Sequence, residues 1–445
     1  MEPKIPVRTA KEAGWKLSRY NLSMPSPGGE GYIIVNLFTG SFAVYSSLEV
    51  YLLSVFERLS EKHPAIRMFS ERGLIVNYDE LEAIETLSRL AMGINDSVSL
   101  TICPTMNCNF DCPYCFENHV PGKMSEKTQD DVIDLTRRMM KISRAKKLGV
   151  TWFGGEPLLA AEIIESLSKR LMALSEEYGA DYRASIVTNG YFLNTENAEM
   201  LSRVKVETAQ VTIDGIGDSH DRTRHLKNGM GSFDVITDNL RRPIPFPVSI
   251  RHNVSVDNYV EIEKLKNYVS ELASESGNKL SYNTALVHES IVFGERGTDI
   301  SLVEGDDAAC IEARTRKISN GPLFCGAQHP FSVCIDEKGK LYKCWECIGH
   351  TEMSFGTAAE WNPADPVKSS EKPDLLTCFI NSALSVRDDT CRNCKLYPHC
   401  LGGCPYQRIY MHNPCPSYKE KPEILLRSFY ERMKSKDKTD SQEKI

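Results

Sequence analysis

The stretch Cys108-Asn109-Phe110-Asp111-Cys112-Pro113-Tyr114-Cys115 limits what this chain can become more than any other. Three cysteines fall within eight residues, with gaps of three and two between them. Thiols this close pair poorly as disulfides, but they can converge on one soft metal centre. A cubane iron–sulfur cluster takes four cysteine ligands, so three local ones would leave an iron open to a substrate or cosubstrate. A zinc knuckle is the plain alternative, and the rest of the chain bears on that choice.

At 445 residues the chain has room for about three domains and a full hydrophobic core. It therefore has no need of stapling, and its fifteen cysteines call for another explanation. Their number is odd and most sit in tight local groups. Met1–Gly14 is charged and lacks the apolar region of a signal peptide. No run of eighteen apolar residues offers a membrane span. These features predict a cytoplasmic protein with metal-bound thiols and no membrane partner. A net charge of −7 gives no electrostatic footprint for nucleic acid.

Residues 1–95 lack cysteine and read as a separate small α+β unit. Tyr32–Leu37 and Ser41–Tyr45 around Thr39-Gly40 predict a hairpin. A helix capped at Ser46 or Ser47 follows, with Val50, Leu53, Val55 or Phe56, and Leu59 toward the core. Gly73–Val76 reads as a returning strand. Residues 96–300 alternate strands and amphipathic helices. Strands are expected over Val98–Cys103, Gly149–Phe153, Ala184–Thr188, Ala209–Ile213, Pro247–Val254 and Leu280–Val287. One helix carries Val132, Leu135, Met139 and Ile142; another carries Ile164, Leu167, Leu171 and Leu174. The alternation predicts βαβ units and an α/β fold on a parallel sheet, with six units rather than a closed eightfold barrel. Residues 301–320 read as a bridging segment, 321–420 as a cysteine-rich domain, and 421–445 as a helix with a frayed, charged tail. Cys310, alone in the bridge, reads as a small hydrophobe.

The CxxxCxxC spacing, with Tyr114 before the last cysteine, resembles the signature of the radical S-adenosylmethionine (SAM) enzymes. That resemblance implies a partial (β/α)6 barrel and a [4Fe–4S] cluster on Cys108, Cys112 and Cys115. The open iron would chelate SAM, whose reductive cleavage yields a 5′-deoxyadenosyl radical. Gly154-Gly155-Glu156-Pro157, after the second strand, resembles the family's GGEP turn, which makes Glu156 the acceptor for the SAM amino group. Thr188-Asn189-Gly190 resembles its ribose-side contact, and Arg251 is a candidate partner for the SAM carboxylate. Asp214-Gly215 with His220-Asp221-Arg222 is similar to a segment of peptide-modifying members, with no catalytic role assigned.

The C-terminal pattern is Cys325-x13-Gly339-x4-Cys344, then Cys391-x2-Cys394-x5-Cys400-x3-Cys404 and, after ten intervening residues, Cys415. It resembles the SPASM domain of radical SAM enzymes that act on peptides and proteins. The resemblance implies two auxiliary [4Fe–4S] clusters. Cys391, Cys394, Cys400 and Cys415 would hold the distal one; Cys325, Cys344 and Cys404 would hold the proximal one. Cys334 and Cys347 are candidates for its fourth ligand; with neither, an open iron could hold a substrate thiolate.

The N-terminal unit resembles the winged-helix-like domains that hold leader peptides, where an edge strand can capture a peptide; a packing appendage is the alternative. The resemblance implies a maturase that forms thioether crosslinks in a ribosomally made precursor, a leader plus a Cys-containing core. Its electron would come from an external donor such as flavodoxin or ferredoxin. The alternatives are formylglycine formation on a sulfatase, carbon–carbon crosslinking of a peptide, or a non-enzymatic zinc or electron-transfer protein.

Overall fold

The computed structural model describes residues 8–29, 31–94, 96–288, 301–315, 324–412 and 414–442. The expected domain boundaries at 300 and 320 lie outside these residues. Five short strands open the chain: β1 (Lys16–Leu17), β2 (Asn21–Pro25), β3 (Tyr32–Asn36), β4 (Phe42–Tyr45) and β5 (Ile75–Val76). Six more are β6 (Ser97–Ile102), β7 (Lys147–Trp152), β8 (Asp181–Thr188), β9 (Val206–Thr212), β10 (Val248–Val254) and β11 (Leu280–Leu286). These six lie side by side in chain order, each parallel to the next. Helices return the chain between them, so every strand ends at the same edge of the sheet, where α/β barrels place their chemistry.

The helix Glu126–Ser143 shows how the sequence encodes this layer. Ser125 caps it by accepting from Thr128 N, and Arg144 ends it in the left-handed region. Val132, Leu135 and Met139 are fully buried against the sheet, but Ile142 is 40 % exposed and Met140 takes the inward position. In the helix Ala161–Glu177, Ile164, Leu167, Leu171 and Leu174 all face the core.

The sheet continues past β6. Strand β12 (Ser332–Ile335) pairs parallel to it, with Cys334 beside Thr101; β13 (Lys340–Tyr342) and β14 (Gly356–Thr357) then follow antiparallel. The cysteine-rich region therefore grows out of the barrel's first strand.

In the N-terminal unit β2, β3 and β4 form one antiparallel sheet, and β2 is a strand the sequence reading missed. The segment read as a returning strand, β5, pairs with β1 instead of the hairpin. A helix at Ser47–Ser54 has a complete Ser46/Glu49 capping box but buries no residue fully; Phe56, in the turn beyond it, reaches the core. The unit shares its core with the C-terminal region: Tyr20, Leu22 and Val35 pack in one cluster with Leu396, Leu425 and Phe429. The helix Pro422–Gln442 continues over residues read as a frayed tail.

Candidate active site

Each expected barrel motif stands at the end of its strand. The cysteine loop follows β6, and Gly154-Gly155-Glu156-Pro157 follows β7. The glycines serve a close backbone approach: Gly154 has φ 110°, and a Cβ there would lie 2.4 Å from Thr105 O. A Cβ on Gly155 would lie 2.4 Å from Asn107 O. The cysteine loop thus lies directly on this turn, and Glu156 N donates to Asn107 O at 2.9 Å.

Glu156 is fully buried, and its carboxylate accepts three protein donors. Oε1 accepts from Leu158 N at 2.9 Å and Thr188 Oγ1 at 2.8 Å, and Oε2 from Asn189 N at 2.8 Å. Burial raises its pKa against those hydrogen bonds. It fastens the β7 turn to the β8 turn and lies behind the cavity wall, whereas Gly154, Gly155, Thr188 and Asn189 line the cavity itself. Asn189 Nδ2 donates to Asn109 Oδ1 at 2.8 Å, so three strand-end loops are tied together.

A second buried network holds the cysteine loop from the other side. Tyr114 Oη donates to Asp214 and accepts from Arg224 Nη1 at 2.7 Å. Asp214 Oδ1 accepts from Asn253 N at 2.8 Å. Arg224 is buried, lies over the Phe110 ring, and leaves Nε without a hydrogen-bond partner. Burial lifts the Tyr114 phenol well above its ordinary range. His220, also buried, is held well below its usual pKa by burial; it accepts from Asp214 N at 3.2 Å and acts as a neutral brace. Asp221 caps the next helix, accepting from Ser232 N and Phe233 N.

Cys108, Cys112 and Cys115 line one cavity of about 230 Å³ together with Tyr114, Arg224 and Arg251. Arg251 donates to Asn253 Oδ1 at 2.8 Å, and burial lowers its pKa. Burial raises all three thiols, Cys108 to about 12, and the Glu156 and Glu117 carboxylates add to this for Cys108. Such thiols ionise readily only against a cationic centre. No three His, Cys, Asp or Glu among the described residues converge closely enough for a single metal ion. The three cysteines share the lining of one hollow.

Residues 102–264 match the Radical SAM superfamily. The chain carries a radical SAM domain. It is an enzyme, and the family implies a [4Fe–4S] cluster and SAM, groups that the three thiols around the hollow fit. The anaerobic cysteine-type sulfatase-maturating enzyme of Clostridium novyi is 24 % identical over 344 residues, 69 % of this chain and 88 % of that one. The sporulation killing factor maturation protein SkfB of Bacillus subtilis is 25 % identical over 159 residues, 36 % of each chain. The chain spans about half the length of the first curated relative it matches and about a third of the next two. In fold it is similar to native anSMEcpe with bound AdoMet and Kp18Cys peptide. That match has TM-score 0.56 at 17 % identity and covers 76 % of this chain and 98 % of that one.

The radical SAM cavity receives residues from the cysteine-rich region as well. Trp345 packs on Phe153 at 4.7 Å between ring centroids, and its Nε1 donates to Thr101 Oγ1 at 2.9 Å. Glu346 follows it into the cavity, 3.6 Å from His288 Nε2, with its Oε2 unpartnered. Burial pushes this carboxyl up to about 7, with Arg251 pulling the other way. Arg224 and Glu346 escaped the sequence reading. Only their proximity to Arg and Cys motifs hinted at them, because burial is not written in a single charged residue.

Cys391, Cys394, Cys400 and Cys415 line one small cavity of about 20 Å³. Cys325, Cys334, Cys344 and Cys404 form a separate group within electrostatic reach of one another. Cys334 is buried in β12, with its thiol hydrogen-bonded to Thr101, and Cys347 is hydrogen-bonded to Cys344. Leu401, Gly402 and Gly403 are consecutively left-handed, at φ 50°, 87° and 78°. This turn separates Cys400 from Cys404 and sends them to different groups. A Cβ on Gly403 would lie 1.7 Å from Pro414 O, so the turn requires glycine. Cys310 is exposed, contrary to its reading as a buried hydrophobe.

Proposed function

We propose that this enzyme joins a substrate cysteine sulfur to a carbon within a ribosomally made precursor peptide, using an electron from a flavodoxin or ferredoxin. When bound, SAM and the cluster at Cys108, Cys112 and Cys115 supply a 5′-deoxyadenosyl radical that removes a substrate hydrogen atom. Gly154 and Gly155 would offer backbone to SAM, Thr188 and Asn189 would meet it from the β8 turn, and Arg251 would present a half-buried guanidinium to its carboxylate. Glu156 acts on SAM chiefly by holding two of those turns in place. Cys391, Cys394, Cys400 and Cys415 would hold a distal auxiliary cluster. Cys325, Cys344 and Cys404 would hold a proximal one, with Cys334 and Cys347 the candidates for a fourth ligand.

The N-terminal sheet is the observation that carries the peptide reading. Its edge strand β2 packs beside the C-terminal helix, whereas β4 has no strand on its outer side among the described residues. Val44 on β4 is 38 % exposed, and Leu48 and Tyr51 beyond it are also exposed. An extended leader peptide could add a strand there.

The relative from Clostridium novyi favours a second reading, formylglycine formation on a sulfatase. About a quarter of this chain lies outside the match to anSMEcpe, a share similar to that of the N-terminal unit. Co-expression with a Cys-rich precursor tests the choice. The product should lose a pair of hydrogens per crosslink and resist thiol alkylation even after reduction. A carbon–carbon bond with every thiol still alkylatable would sink the thioether reading, and a sulfatase cysteine turned to formylglycine would sink the peptide reading.

A further inference from the structure

One of the four thiols around the small distal cavity carries a cation directly on sulfur, and a second cation lines the same cavity. Arg408 Nη2 donates to Cys391 Sγ at 3.1 Å, and Lys419 lines the cavity with Cys415. The guanidinium is held on several sides. Its Nε and Nη2 donate to Gly402 O at 3.1 and 2.8 Å, and Nη1 donates to Asp388 Oδ2 at 3.3 Å. Asp388 in turn accepts at Oδ1 from Thr390 N at 2.8 Å and Cys391 N at 3.3 Å. One carboxylate thus orients both the cysteine's backbone and the cation that meets its sulfur. Gly402 completes the ring: in its left-handed conformation a Cβ would lie 2.1 Å from Ser385 Oγ.

At the other cysteine groups the nearby lysine and arginine bond to oxygen, and Cys115 Sγ lies 3.4 Å from His119 Nε2. Lys343, near Cys325 and Cys334, donates to the carbonyls of His329 and Ser332 at 2.7 and 2.6 Å. Arg224, near Cys112, donates to Tyr114. Reduction adds an electron to an iron–sulfur cluster. Positive charge and hydrogen bonds to sulfur therefore favour the reduced form and raise the potential.

We propose that Arg408 and Lys419 raise the reduction potential of the cluster held by Cys391, Cys394, Cys400 and Cys415, with Asp388 as the positioning residue for Arg408. This rests on the reading that those cysteines hold a cluster.

The test is an EPR-monitored redox titration of the anaerobically loaded holoenzyme, with iron content and thermal unfolding followed in parallel. The distal transition is identified as the one lost in Cys391→Ser. In Arg408→Met its midpoint should fall, changing the reduced-to-oxidised ratio at fixed potential about tenfold, or ~59 mV for one electron. Arg408→Lys should recover part of the shift, and Asp388→Asn should show a smaller fall. Lys419→Met should lower the midpoint without touching the Arg408 ring, and it carries the test if Arg408→Met loses iron. An unmoved midpoint in Lys419→Met, or in an Arg408→Met protein with full iron, overturns the proposal. A Cys391→Ser protein with undiminished iron and no lost transition overturns the cluster assignment beneath it.

Discussion

The radical SAM cavity and the distal cysteine site are both built from thiols on short loops, yet their surroundings are opposites. Three cysteines face a hollow of about 230 Å³ shared with the buried Arg224 and the half-buried Arg251, and the loops beneath them are locked by hydrogen bonds. Four cysteines face a hollow of about 20 Å³, with Arg408 on the sulfur of Cys391 and Lys419 in the same lining. Three ligands and open space suit a centre that must also hold a small molecule. Four cysteines around a small hollow leave less room for one. Loop geometry therefore distinguishes the two more sharply than cysteine count does.

The largest effect should come from removing the thiols of the roomy site. Replacing Cys108, Cys112 and Cys115 by Ala should abolish 5′-deoxyadenosine formation under reductant and remove about four irons per chain, while the other cysteine groups keep theirs. Deoxyadenosine persisting in the triple variant would erase the division of labour. Next come the buried supports of that site. Arg224→Met removes the buried cation 3.9 Å from the Asp214 carboxylate and should cost about 3–5 kcal/mol, read by chemical denaturation. A loss under about 1 kcal/mol would mean that Tyr114 and Asn253 suffice to hold Asp214.

Glu156→Ala removes an acceptor from three buried donors, each worth about 1 kcal/mol, so roughly 3 kcal/mol of stability should go, together with SAM affinity. Full affinity in a destabilised protein would separate the turn's stability from its ligand contact. The smallest effect belongs to the junction of the N-terminal unit with the distal region. Arg387 meets Glu85 at 3.5 Å with both side chains solvated, and Arg387→Ala should change stability by under about 1 kcal/mol. Phe429 lies in the shared core between them, so deleting residues 1–95 would expose apolar surface. A leader-binding test is therefore better made by changing the exposed face of β4 than by deletion.

Much of the barrel was legible because its signals are local. Strands β6 to β10 each carry two or more of Val, Ile and Thr, and helices such as Ala161–Glu177 repeat leucines at helical spacing. The misses occurred where local signals are weak. Strand β2 contains a proline and a serine within five residues. Ile142 matches the helical period but sits in the last turn of its helix, where 40 % of it remains exposed.

The sequence by itself determined which atoms are available: three thiols in one loop, glycines that allow that loop to lie on the next turn, and a four-cysteine set split by Leu401-Gly402-Gly403. These are local facts, because a gap of two or three residues fixes how far apart side chains can be. Tertiary structure alone decided what those atoms meet. It buried Glu156 among three donors, set Arg224 under the cysteine loop from more than a hundred residues away, and brought Arg408 to the sulfur of Cys391. It also seated the N-terminal sheet in one core with the C-terminal helix. A charged residue carries no mark of such burial in the sequence. Its environment is the sum of contacts from distant segments, and only the packed chain specifies that sum.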